Sequence, residues 1–338
     1  MTSLNTGDMA QALLLRRQNS TLKADFQRLT QEMTSGRKAD LAQAVGGDFK
    51  VLAGIEHSLT VLGSFATATS EAETFAATQQ SALDTLQTLG SDLAPTLTGA
   101  GTTGGATHVA SAAFDARQKL FSAVSALNAR VGDRYVFSGD TTDQRPILGA
   151  QDILDGLGTA IVGQVTASGV IGAIDAWFDA PTGGGGYLDL AYGGSATPLA
   201  PFRVGEGEEA SLTLTAADQT LRDVLKGLAL GAMVAEGALP GDLPGQALLL
   251  KTGGQRLIAS GLSLATLQAN LGSTEGQIAA VSTRNTAEES ALTIARNGIV
   301  AADPFETANA LEAAKTQLET LYALTARLSR LNLADYLR

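Results

Sequence analysis

The chain has 338 residues, no cysteine, two histidines and a formal net charge of −11, with 23 Lys and Arg against 34 Asp and Glu. The acid excess excludes the basic footprint of a general nucleic-acid binder, and the missing thiols exclude disulfide frameworks, thiolate zinc sites and a cysteine nucleophile. Aromatic residues make up 5% of the chain and 38 residues are glycine, which predicts slender Ala-, Leu- and Thr-rich helices with flexible joints.

The first segment is helical with a seven-residue repeat: Leu15, Leu22 and Leu29 recur every seven, with Phe26 and Met33 four after the last two. Narrow stripes of this kind form coiled-coil or bundle contacts. Segment 51–86 carries a weaker version (Val51, Ile55, Leu62, Phe65, Ala72, Ala76, Leu83, Leu86). Gly90 and Gly132 read as residues just past helix ends. The string GAGTTGGAT at 99–107 reads as a flexible loop joining two helices. The next helix alternates spacings of three and four through Val109, Ala113, Ala116, Leu120, Val124, Leu127 and Val131.

The middle differs. Residues 139–220 hold eleven acids against Arg145 and Arg203, whereas residues 1–40 hold six bases and four acids. Such an acidic middle between nearly neutral ends predicts a solvated central domain and termini that meet other protein. Two short helices are expected at 150–163 and 170–178, a flexible turn at the four glycines 183–186, and short strands at 187–192, 202–204 and 211–215. Thr215-Ala-Ala-Asp218 then resembles another helix start.

The last part holds the longest repeat: Leu257, Leu264, Leu271, Ile278, Asn285, Leu292 and Ile299, with a second seam through Ser260, Leu267, Thr274, Val281, Glu288 and Ala295. Asn19, Asn285 and Glu288 fall at seam positions, where a buried polar group can fix register. Asn297-Gly298 is read as the helix end. Asp303, Pro304 and Glu306 have the spacing of an N-cap, an N1 proline and the N3 acid of a capping box. A final stripe runs through Leu311, Ala314, Leu318, Leu321, Thr325 and Leu328.

These elements predict a mainly α fold. It is expected to be a long antiparallel helical rod with paired N- and C-terminal coiled-coil helices and a small inserted α+β domain. The expected division is 1–45 with 303–338 as terminal coiled coil, 46–138 with 220–302 as helical rod, and 139–219 as an acidic outer domain.

Chemistry is sparse. GEGEEA at 205–210 fits G-x-G-x-x-A, but Glu206, Glu208 and Glu209 would repel a pyrophosphate, so it reads as an acidic turn between strands. GLSLA at 261–265 misses the nucleophile-elbow pattern. His57 and His108 have no ligand-spaced partner, and Asp152 with Asp155 reads as a solvated helix face. The sequon at Asn19 falls inside a predicted helix. The expectation is no enzyme, no cofactor and no metal. No apolar run approaches the roughly 18–20 residues of a membrane helix, so no membrane insertion is expected, and no basic start with an apolar core marks a cleaved leader.

Three strings carry a family resemblance. RLTQEMTSGRKADL at 28–41, ARVGDRYVFSGDTTDQRP at 129–146, and the segment from Gly298 to the closing LSRLNLADYLR resemble the flagellin superfamily. Within it the likeness is to hook–filament junction members more than to filament subunits, because RKADLAQAVGGD follows Ser35-Gly36 where filament subunits carry an RINSAKDDAAG-like stretch, and because the chain ends in ADYLR. The resemblance implies a structural part of the bacterial flagellum that leaves through type III export, held by an export chaperone beforehand. It implies self-assembly into a ring of a few copies, with a neighbouring hook-associated protein and flagellin as partners. The residues it marks as assembly contacts are Leu15, Leu22, Phe26, Leu29 and Met33 in front and Leu318, Leu321, Thr325 and Leu328 behind. A filament subunit is the alternative, and an acidic adhesin or enzyme domain on a helical stalk the second.

Overall fold

A computed structural model describes residues 3–336, with side chains described over 9–11 and 13–327. The described chain is mainly α, with long helices and two small antiparallel sheets. It divides into two compact units, one of Met1–Leu62 with Ala287–Arg338 and the other of Gly63–Thr286.

Helix α3 (Lys50–Thr103), which belongs to the larger unit from Gly63 onward, is followed by α4 (Ala106–Leu127). The expected stop at Gly90 and loop at 99–107 are corrected. The helix continues through Gly90 and Pro95 because Leu83, Leu86, Leu93 and Leu97 form one fully buried face, whose burial outweighs local propensity. Only Gly104 and Gly105 remain as a connection, Gly104 taking φ +63°. Leu52, Leu62, Phe65, Ala72, Ala76, Leu83 and Leu86 of α3 are buried and Ile55 half-buried, but Val51 is exposed.

The stripe of α4 is buried from Val109 to Leu127 and packs on α8 (Gln219–Ala235). Val131 belongs instead to β1 (Arg130–Val131), which pairs antiparallel with β2 (Arg134–Tyr135). Gly132, at φ +62°, sits in the turn between them rather than past a helix.

Helices α5 (Ala150–Ala160) and α6 (Ala167–Asp179) lie near their expected places. The segment 187–192, read as a strand, forms the helical turn α7 (Tyr187–Leu190). Its first residue is wholly buried among Phe178, Trp177 and Tyr192, and Tyr187 Oη donates to Ala216 O at 2.9 Å. Burial pushes the Tyr187 phenol far above its usual range. The glycines 183–186 are not loose. The Asp189 carboxylate accepts from Gly183 N at 2.8 Å and Gly185 N at 2.7 Å, and these bonds lower its pKa.

Strand β3 (Phe202–Gly205) pairs antiparallel with β4 (Glu208–Ala210), so GEGEEA is the expected acidic turn. The partner strand is 208–210 and not 211–215. This hairpin lies on α3 and α9 (Leu243–Val300), where Val204 and Ala210 bury against Ala72, Ile278 and Val281. Arg284 of α9 pairs with Glu208 at 2.5 Å, and the buried Asn285 Nδ2 donates to Val204 O at 2.8 Å. The seam asparagine thus serves the hairpin. Asn285→Leu leaves that carbonyl unpaired and is expected to cost about 1–3 kcal/mol, read as a lower denaturant midpoint.

The long seam is buried at Leu257, Leu264, Leu271 and Ile278, and Ser260 and Val281 are buried on the second seam, while Glu288 is exposed. Helix α9 runs on through Asn297-Gly298 to Val300. The expectation that no segment reaches membrane-spanning length is also corrected. An 18-residue window of α3 has a mean hydropathy of 1.2, so by length and composition alone α3 qualifies. Contiguous strongly apolar runs are the wrong measure here, because alanines between the large residues raise the average and the intervening Gly and Thr lower it only slightly.

Candidate assembly interface

The other unit is built on α1 (Ser3–Ser35) and α10 (Pro304–Tyr336), which pack side by side. They run antiparallel, since α1 ends where α10 begins. Their ends are joined by main chain: Arg37 and Ala301 form an antiparallel bridge, Lys38 N donates to Val300 O at 2.8 Å, and Ala302 N donates to Gly36 O at 3.0 Å. Gly36 has φ +68°, a left-handed conformation that glycine adopts at little cost. Asp303 caps α10 as expected, its Oδ1 accepting from Phe305 N at 2.8 Å and Glu306 N at 3.0 Å.

Below this junction lies a cleft of ≈ 520 Å³, with Leu29, Glu32, Thr307 and Ala310 in its lining. Glu32 is 7% exposed. Its Oε1 accepts from Ala39 N at 3.0 Å and from Arg28 at 3.2 Å, which ties the start of the connection to α1. Further along, Lys23 Nζ lies 5.8 Å from the centre of the Tyr322 ring, a cation–π contact that crosses the pair.

The positions singled out in the sequence divide by exposure. Leu29 and Leu321 are buried, and Leu15, Leu22, Phe26 and Leu318 are half-buried. Met33 and Thr325 are exposed, and Thr325 Oγ1 bonds back to Leu321 O at 2.7 Å. The side chain of Leu328 lies outside the described ones. Sequence reasoning missed Glu32, which it placed only within a string, and Thr307, buried beside Leu29; a polar residue one turn from a seam leucine was the available signal.

The pair also carries apolar groups that face solvent. Met9, Leu13 and Leu14 of α1 are 71%, 70% and 66% exposed, and Phe305, Tyr322 and Leu324 of α10 are exposed as well. An apolar stripe on each helix faces its partner while a second set stays open, an arrangement suited to further helices packing from outside. Among the described residues no group of three or more His, Asp and Glu could hold a metal ion.

A family model described as the bacterial flagellin C-terminal helical region matches residues 261–337. No curated protein matches the chain in sequence. Among solved structures, FlgL of Bacillus cereus is 17% identical, with 71% of this chain and 96% of that one covered and a TM-score of 0.48. A putative flagellar hook-associated protein from Vibrio parahaemolyticus is 10% identical, with 74% and 96% covered and a TM-score of 0.48. The sequence match is confined to the later part of α9 and to α10, and over those residues the chain is similar to the C-terminal helical region of bacterial flagellins.

Proposed function

We propose that this chain is a structural component of the bacterial flagellum, a hook-associated protein of the hook–filament junction, or FlgL, type. The observation that carries the reading is that the flagellin C-terminal match includes α10, the helix that packs along α1. In this reading 1–45 with 303–338 polymerise, 46–138 with 220–302 form the helical body, and 139–219 is the outer domain. Leu15, Leu22, Phe26, Leu29, Met33, Leu318, Leu321, Thr325 and Leu328 contribute the packing. The role is mechanical and needs no catalytic group. Its partners are copies of itself, a neighbouring hook-associated protein, flagellin and an export chaperone, and export proceeds without a cleaved leader.

Antibody raised against 139–219 and applied to shed appendages tests this directly. Label at one end of the filament is expected; label along its whole length makes the chain a filament subunit instead. Deleting the gene is expected to leave hooks in place while filament protein escapes into the medium, and normal filaments in that strain would overturn the proposal.

A further inference from the structure

Helix α6 ends on two carboxylates, Asp175 and Asp179, one turn apart, with no basic residue in its last turn. Negative charge at that end opposes the helix macrodipole, so the compensation has to come from elsewhere. From α9, Arg256 holds Asp175 with both of its terminal nitrogens, Nη2 at 2.7 Å from Oδ2. From α8, Lys226 Nζ donates to the two oxygens of Asp179 at 2.8 and 2.9 Å and lies 3.2 Å from Asp223 Oδ1. Gln219 Nε2 bridges the same two carboxylates at 3.1 and 2.9 Å. Arg222 donates to the last turn of α6, at Phe178 O, over 2.5 Å.

Burial is unequal across this cluster. The Lys226 side chain is 7% exposed, whereas those of Asp179 and Asp223 are 47% and 44% exposed. Water and protons therefore reach the acids while the ammonium stays enclosed, and an enclosed charge that loses its partner is costly. Two residues before Asp179 in α6, Trp177 packs edge-on against Phe178 at 5.0 Å and Tyr187 at 6.1 Å.

We propose that Lys226 is the keystone of an acid-operated latch. With Asp179 ionised, it holds the end of α6 on α8; protonation of that carboxylate strands the ammonium and releases the end of α6, opening its Trp177 face to water.

The direction follows from the surroundings. Burial pushes the Asp179 carboxyl up, but hydrogen bonds from Lys226 and Gln219, with the charges of Lys226 and Arg222, outweigh it and hold the group below its ordinary range. A depressed carboxyl contributes stability above its unfolded pKa of about 3.9 and loses it as pH falls through the folded value. The latch is thus shut at neutral pH and opens on acidification below about pH 4. The charged groups facing Lys226 are Asp175 and Asp179 on α6, Arg222 and Asp223 on α8, and Arg256 on α9. Arg256 is held more firmly protonated, first by its bond to Asp175.

Trp177 is the only tryptophan in the chain, so its emission reports α6 alone, while far-UV ellipticity reports the helices together. In the full-length protein the emission is expected to shift red at a higher pH than the ellipticity falls. In Lys226→Met no ammonium is left to be stranded, while Gln219 and Arg222 still face Asp179. The separate acid step in emission is therefore expected to be lost, and emission is expected to change together with ellipticity. In the double variant Asp179→Asn with Lys226→Met, the separate emission step is expected to merge with the loss of ellipticity. Coincident transitions in the unmodified protein overturn the latch, as does a separate acid step in emission that persists in Lys226→Met. Should that single variant fail to fold, a separate acid step persisting in the double variant overturns it.

Discussion

Gly231→Leu is expected to abolish folding of the larger unit. A Cβ at Gly231 of α8 would stand 2.5 Å from the Ala116 Cβ of α4 and 3.3 Å from Leu97 of α3. Neither neighbour is the free end of a long side chain: Ala116 has no rotamer to change, and Leu97 is fully buried. Overpacking a tight core costs about 1–3 kcal/mol per added methylene or two, and leucine adds a whole branched side chain at a helix crossing. The loss is expected to exceed about 4 kcal/mol, a size reserved for core disruption. Gly254→Leu, where a Cβ would meet Ala94 O at 2.7 Å, is expected to behave alike. Gly272→Leu is the control, since nothing lies within 4 Å of that position. Circular dichroism melts of the three variants decide the matter; equal melting temperatures would show that the helices separate at no great cost.

The second large effect falls on the terminal pair. Leu29 and Leu321 are 7% and 5% exposed. Replacing both with Asp removes about 1.5–3 kcal/mol of burial at each site and buries an unpaired carboxylate at each. The pair of α1 and α10 is expected to melt, with fast hydrogen exchange over 13–35 and 304–327. The larger unit is expected to keep its Trp177 emission, because Trp177 lies within Gly63–Thr286. Under the proposed role the same protein fails to assemble. Assembly that proceeds normally with α1 and α10 unfolded would refute the part assigned to the terminal stripes, whatever the fate of the junction assignment.

What could be read from the sequence follows a physical pattern. The stripe of α4 was legible because one helix face is buried along its length, so period and burial coincide. The cap at Asp303 was legible because a carboxylate beside free N–H groups is a local matter, whereas the helix start read at Thr215-Ala-Ala-Asp218 falls later, with Asp218 itself as the cap and its Oδ1 accepting from Thr220 N at 2.8 Å. Glycine misled where tertiary contact decides. Gly90 and Gly101 look like punctuation, yet they sit inside α3 where α9 comes close; a Cβ at Gly101 would stand 2.5 Å from Ala247 O. The segment 187–192 was read as a short strand, but Tyr187 fills a deep aromatic pocket and Asp189 takes the glycine amides, and one helical turn supplies both. Pairs such as Lys226 with Asp179 join residues far apart in the chain and leave no spacing to detect. The terminal stripes predicted helices with a covered face, and their division into buried Leu29 and exposed Met33 required the partner helix.

The bridge between Arg37 and Ala301 has a consequence for the order of events during synthesis. A long stretch of chain separates the first long helix from the one that packs on it, and closing so large a loop carries an entropic penalty that is repaid only once α10 has been made. Until then Leu29 and the half-buried Leu15 and Leu22 of α1 lack their cover, and they stay available to any holder that recognises an apolar helical face.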